Sequence, residues 1–242
     1  MTPTTEKPLL GVLCWEAGVS PRGLQQLELL SGNSANPETY HNLCRVHFSR
    51  IRGANIHTVL EKPSQEVLAA MIVEARRLVS EEGAAAITTS CGFNAIFQPQ
   101  LAAALPVPVF TSSLLQVPAL SHSTGRKVGI LTASATHLTI AHLRNAGITA
   151  DMPVAVKGLE DCLEWKKIFH EPEAELDLEL VGDYLSQVAS ELCAKEHIGS
   201  LLLECTDLPP YAERLRRETD LPVADFVTML CWLLQVIPSL QV

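Results

Sequence analysis

The strongest constraint on this chain is that its sequence runs through one pattern twice. Lys127–Thr132 (KVGILT) matches Leu9–Cys14 (LLGVLC), with Gly11-Val12-Leu13 set against Gly129-Ile130-Leu131. Cys91 follows the apolar run AAAITTS, and Pro108 comes seventeen residues later. Cys205 follows SLLLE, and Pro222 comes seventeen residues after that. The copies are offset by 114 residues at the cysteines and 118 at the first runs, so a short indel separates them. In both copies short apolar runs alternate with stretches of helical period, the pattern of parallel strands covered on both faces. The expected fold is α/β, with two pseudo-symmetric lobes, each a parallel sheet flanked by helices, and the active site in the cleft between them. The expected lobes are 1–121, joined by a C-terminal segment of about 209–242, and 122–208.

Further strands are expected at 45–48, 54–60, 84–88, 107–110, 154–157, 200–204 and Val223–Ala224. Ser64 is placed to cap a helix whose apolar stripe is Val67, Leu68, Met71, Ile72, Ala75, Leu78 and Val79, ended by Gly83. Other helices are expected at 94–105, from 113, at 135–146, 175–196, 208–218 and Phe226–Val236. Residues 16–40, with SGNSANPETY inside, form a long polar loop of the kind that is often functional, and 160–172 is an acidic, aromatic insertion.

Composition excludes several classes of partner. Hydrophobic residues are 47% and charged residues 19% of the 242, a packed-core balance. The net charge of −9 repels phosphate backbones and anionic lipid, and 5% aromatics leaves little for base stacking. No apolar run approaches the roughly 20 residues needed to span a bilayer. The first eight residues are polar, and seven cysteines without a CxxC pair suit a reducing compartment. The expectation is a soluble cytoplasmic protein with free thiols, no metal and no cofactor. The eight histidines are scattered, and neither a zinc signature, a phosphate loop nor a GxSxG elbow is present.

Ligands of open parallel sheets bind beyond the carboxyl ends of the strands, where Cys91 and Cys205 fall. Each also stands at a helix start, which is expected to lower its thiol pKa. Five cysteines (Cys14, Cys44, Cys162, Cys193 and Cys231) are taken as packing residues. The duplicated placement of Cys91 and Cys205 sets them apart as a pair on opposite sides of one cleft. One thiolate can take a proton from carbon while the other thiol delivers one to the opposite face. Around them, the backbone of Gly92 and Phe93, the Asn94 amide and Thr206 are expected to meet a substrate carboxylate, with Ser90 orienting the Cys91 thiol. Thr132, Ser112 and Ser113 end strands and serve either substrate or helix caps. Asp207 either tunes Cys205 or caps the next helix. Glu204 is expected to point away from Cys205 and is not taken as a base.

TTSCGFN (Thr88 to Asn94), TSSLLQVP (Thr111 to Pro118), KVGILTA (Lys127 to Ala133) and ECTDLP (Glu204 to Pro209) resemble the aspartate/glutamate racemase superfamily. SGNSANPETY is similar to the early loop of a less characterised branch. The resemblance covers most of the chain from Leu9. It implies cofactor-independent, two-cysteine racemisation or epimerisation of a small carboxylate-bearing substrate such as aspartate or glutamate, by a homodimer. The superfamily also holds hydantoin racemases, maleate isomerases and arylmalonate decarboxylases, and the last of these lack one cysteine. The chain departs from glutamate racemases at three places. CWEAGVSPRG stands for their DSGxGG loop, Cys91-Gly92-Phe93 for CNT, and Cys205-Thr206-Asp207 for CTH. Glutamate is therefore not assigned as the substrate. The rival expectations are a maleate-type cis–trans isomerase with covalent thiolate addition and a non-catalytic binding relative.

Overall fold

The computed structural model describes residues 7–16 and 20–237. Two four-stranded parallel sheets form the frame. The first has the order β2-β1-β3-β4, from Leu9–Cys14 (β1), Arg45–Arg50 (β2), Ala86–Thr89 (β3) and Val109–Phe110 (β4). The second repeats that order as β6-β5-β7-β8, from Lys127–Thr132 (β5), Val154–Gly158 (β6), Ile198–Leu203 (β7) and Val223–Ala224 (β8). Equivalent strands therefore carry the two cysteines: β3 runs into Cys91 and β7 into Cys205.

Side-chain alternation along each strand supplies two buried faces. In the first sheet Leu13 and Ile87 pack under α2, Gln65–Glu81, while Leu10, Val12 and Ala86 pack on α9, Phe226–Val236. In the second, Leu131, Leu201 and Leu203 pack under α7, Leu178–Lys195, while Val128, Ile130 and Leu202 share a core with Val117 of α4, Val117–Thr124. The covering helices are exchanged between the lobes. The chain leaves β4 and lays α4 on the second sheet, then leaves β8 and lays α9 on the first. The expected return of 209–242 to the first lobe is corrected for its first part: α8, Ala212–Thr219, packs on α7, and β8 is hydrogen-bonded to β7. Beyond 209, α9 and Ile237 after it pack on the first sheet.

Local chemistry accounts for the elements and for three corrections. The Ser64 hydroxyl accepts from Val67 N at 3.4 Å and starts α2; Val67, Leu68, Met71, Ala75 and Leu78 of the expected stripe are buried. The strand expected at 54–60 is instead one wide turn, His57–Glu61. There Asn55 and Thr58 exchange side-chain-to-backbone hydrogen bonds at 3.0 and 3.2 Å, which competes with a sheet ladder. The helix expected at 135–146 shrinks to α5, Ile140–Asn145. Ser134 and Thr136 are held in a turn, where Thr136 N donates to Glu160 Oε1 at 2.9 Å and the Ser134 hydroxyl pairs with His137 Nδ1. The expected loop at 16–40 contains α1, Arg22–Glu28, and a 3₁₀ turn, Pro37–Tyr40. The 160–172 insertion carries α6, Leu163–His170, which buries Trp165 and Ile168 and packs against α1. Gln98–Ala104 (α3) completes the set.

Helix α9 covers one face of the first sheet together with Tyr40 and Cys44, and Met229 within it is 1% exposed. Met229→Ala is expected to cost about 2–5 kcal/mol in urea unfolding. A loss near that of a surface substitution would mean that α9 does not pack where the structure puts it.

Candidate active site

The two sheets point their carboxyl ends at each other, and the loops that leave β3 and β7 meet there. Hydrogen bonds cross at this junction. The Thr206 hydroxyl donates to the Ser90 carbonyl at 2.7 Å, Ser34 N donates to the Thr206 carbonyl at 3.3 Å, and the Ser113 hydroxyl donates to the Leu203 carbonyl at 2.7 Å. The residue before Cys91 is thus tied to the residue after Cys205. Behind them, Asn145 of α5 donates to the Ile96 carbonyl at 2.7 Å, and Phe93 lies edge-on to His142 at 5.6 Å.

The loop SGNSANPETY is wired from within and reaches the second cysteine. Gly32 sits at φ +99°, a conformation costly for a residue with a Cβ, and its N–H donates to Thr39 Oγ1 at 3.0 Å. Tyr40, fully buried, donates its hydroxyl to the Ser34 carbonyl at 2.6 Å. Asn33 is thereby presented to Asp207, its amide donating to Asp207 Oδ1 at 2.8 Å. The other oxygen of that carboxylate accepts from the Cys205 thiol at 3.6 Å.

Cys91 is partly exposed and Cys205 buried. Cys91 precedes a 3₁₀ turn, Gly92–Phe97; the Asn94 N–H donates to the Cys91 carbonyl at 3.1 Å, while the Phe93 N–H bears on the Cys91 sulfur and favours a thiolate. The Asp207 N–H does the same for Cys205. The expectation of lowered thiol pKa values is nevertheless corrected. Burial pushes both thiols well above the ordinary range, and nearby carboxylates push them further: Glu204 then Asp207 at Cys91, Asp207 then Glu204 at Cys205. One short turn of N–H groups does not offset desolvation plus two negative charges. Cys91 also acts on Cys205, so the two sulfurs share one electrostatic environment.

The other expected site residues separate by what their polar atoms already do. The Ser90 hydroxyl is turned to Cys14 rather than Cys91. Ser112 caps the next turn, accepting from Leu114 N at 3.3 Å, and Ser113 and Thr206 spend their hydrogens across the lobe junction. Asn94 is buried with its amide nitrogen on the Cys91 carbonyl at 3.1 Å, leaving Oδ1 without a partner. Thr132 donates to Glu204 Oε2 at 2.7 Å.

Glu204 is the residue that sequence reasoning passed over. Its alternation away from Cys205 turns it across the junction toward Gly92, beside Cys91. A Cβ at Gly92 would run into the Glu204 carboxyl, 2.9 Å from its Cδ, so only glycine lets the two loops close. Glu204 is fully buried, and desolvation first, then Asp207, raises its carboxyl to about 7 against the Thr132 hydrogen bond. Half-buried Glu28 is also raised, by burial and by Asp207. Buried Trp15 Nε1 has no partner. The junction therefore gathers two thiols and three carboxyl groups. No group of His, Cys, Asp and Glu with metal-holding geometry occurs among the described residues, and no described helix is long and apolar enough to cross a membrane.

A family model described as Asp/Glu/Hydantoin racemase matches residues 46–234. Dimethylsulfoniopropionate lyase 3 of Emiliania huxleyi (strain CCMP1516) is 30% identical over 167 residues, covering 64% of this chain and 43% of that protein. A dimethylsulfoniopropionate lyase of Durusdinium sp. clade D is 34% identical over 159 residues, covering 62% and 52%. The chain spans about half the length of these curated relatives. Allantoin racemase from Pseudomonas fluorescens superposes with a TM-score of 0.62 at 15% identity, over 94% of this chain and 89% of that one, a likeness of fold. With the family model spanning most of the sequence, both cysteine loops included, the chain belongs to the Asp/Glu/hydantoin racemase family.

Proposed function

We propose that the protein is a cofactor-independent enzyme that removes the α-proton of a small carboxylate substrate, with Cys91 and Cys205 as its acid–base pair. The observation that carries this is the hydrogen bond from Thr206 to the Ser90 carbonyl, which ties the two cysteine loops together across the lobes. Cys205 is taken as the base: its thiol donates to Asp207, which raises its basicity and is placed to receive its proton when the substrate is engaged. The Phe93 N–H stabilises negative charge at the Cys91 side as the α-carbanion develops. If the Cys91 thiol then gives its proton to the opposite face, the α-carbon is inverted, which is the racemase or epimerase outcome.

A second outcome shares the first step. The relatives at 30% and 34% identity are lyases of a substrate whose name contains a sulfonium and a propionate. Removing its α-proton while the β-carbon–sulfur bond breaks yields acrylate and dimethyl sulfide, with the proton left on the enzyme. The carboxyl groups of Glu28, Glu204 and Asp207 suit a substrate with a positive group better than a second carboxylate. The same reading expects a homodimer. All seven cysteines stand as free thiols, which suits a reducing, cytoplasmic setting.

Incubation with amino acids, hydantoins and dimethylsulfoniopropionate in deuterium oxide separates the outcomes. Inversion places deuterium at the α-carbon of recovered substrate, and elimination releases dimethyl sulfide. Cys91→Ala and Cys205→Ala are each expected to lower the active reaction by about 10²–10⁴-fold. Full rates in both variants would contradict the proposal. Because both thiols are raised, the rate is expected to climb from about pH 7 to about pH 9 as more of the base ionises. A maximum on the acid side of neutrality would contradict that sign.

A further inference from the structure

The buried carboxyl of Glu204 has no part in the reaction outlined above, and its geometry is unusual. One oxygen is committed to Thr132 Oγ1 at 2.7 Å. The other, Oε1, is buried and without a hydrogen-bond partner. It lies against Gly92, whose missing side chain opens the space it fills, directly beside Cys91. The titratable groups that bear on Glu204, Cys91 and Cys205 are these three themselves and Asp207. No cation is among them. A buried negative charge with a single hydroxyl donor and no counter-ion is unfavourable, and a second one alongside it is more so.

We propose that Glu204 is a positioning residue that assigns Cys91 the role of proton donor: its buried carboxylate and a Cys91 thiolate exclude each other, so Cys91 keeps its proton while Glu204 is ionised. This rests on the reading of the two thiols as an acid–base pair and adds the reason that they differ. Both carboxylates raise the thiol they bear on, but Asp207 is hydrogen-bonded to the Cys205 thiol and stands as an acceptor for its proton, whereas Glu204 bears on Cys91 through its charge from across the junction. The duplicated lobes would otherwise supply two equivalent thiols. Of the charges at Cys91, Glu204 acts most strongly; at Cys205, Asp207 does. The Glu204 carboxyl, at about 7, changes charge close to neutrality. Below that point the block on Cys91 is lifted, and above it the block is complete.

The test needs no substrate, so it stands whichever reaction the enzyme performs. Alkylation of the full chain by iodoacetamide is followed by mass at the Cys91 and Cys205 peptides across pH, in the native protein and in Glu204→Gln. Near-ultraviolet circular dichroism confirms the fold. With the charge gone, Cys91 is expected to alkylate about tenfold faster at about pH 8, the equivalent of one pKa unit, and Cys205 to change less. A rise at Cys91 of less than about threefold, or an equal rise at both cysteines as simple loosening would give, overturns the proposal. Should Glu204→Gln not fold, Thr132→Val decides in its place. Losing the hydroxyl donor favours neutral Glu204, so Cys91 should again be the cysteine that gains, and an unchanged Cys91 rate overturns the assignment.

Discussion

The structure depends on a hydrogen-bonded seam that joins the loop after one strand to the loop after its duplicate. Thr206 to the Ser90 carbonyl, Ser34 to the Thr206 carbonyl and Ser113 to the Leu203 carbonyl all fall within a few residues of Cys91 or Cys205. Ser34, Ser113, Leu203 and Thr206 are buried, so breaking one of these bonds leaves an unpaired polar group and costs more than the bond contributes. The exchange of α4 and α9 between the lobes holds the seam closed from outside, because neither sheet can be covered without the other half of the chain. Two parallel sheets, each binding ligand at its carboxyl edge, are thus forced to share one site.

What the seam encloses is electrostatically costly. Cys91, Cys205, Glu204 and Asp207 are brought together, and burial raises every one of them. The number of negative charges the site holds is consequently limited, and a proton removed from one group is soon taken up by another. This is the condition for proton transfer at a carbon acid, where a base must be strong yet its conjugate acid must remain close. The same cost explains the loop of residues 31–40. Its internal hydrogen bonds fix Asn33, which satisfies one oxygen of Asp207 and leaves the other for the Cys205 thiol.

The fold was legible because strand periodicity and duplication are carried by the apolar residues themselves. The runs at Leu9–Cys14 and Lys127–Thr132, and the stripe from Val67 to Leu78, are where expected. Elements were misjudged where side chains bond to the backbone, as at Asn55, Thr58 and Ser134, since propensity does not contain those partners. The equivalent placement of Cys91 and Cys205 after β3 and β7 was legible from spacing alone. The charge state of the site was not, because it arises from Glu204, whose place beside Gly92 is set by contact between residues 112 apart in sequence. The signal available was a glycine after one cysteine and an acid before the other. The hydroxyls of Ser112, Ser113, Thr132 and Thr206 were expected to serve substrate or helix caps; strand position did not reveal that the frame already uses them. Residues 17–19, within the stretch that departs from the glutamate racemases, lie outside the described residues.

The most direct measurement is a crystal structure with a small carboxylate inhibitor bound. The account predicts one molecule at the junction of the lobes, its α-carbon between the Cys91 and Cys205 sulfurs and its carboxylate at the Phe93 N–H. A ligand bound elsewhere, or two sulfurs that cannot both reach one carbon, would contradict it.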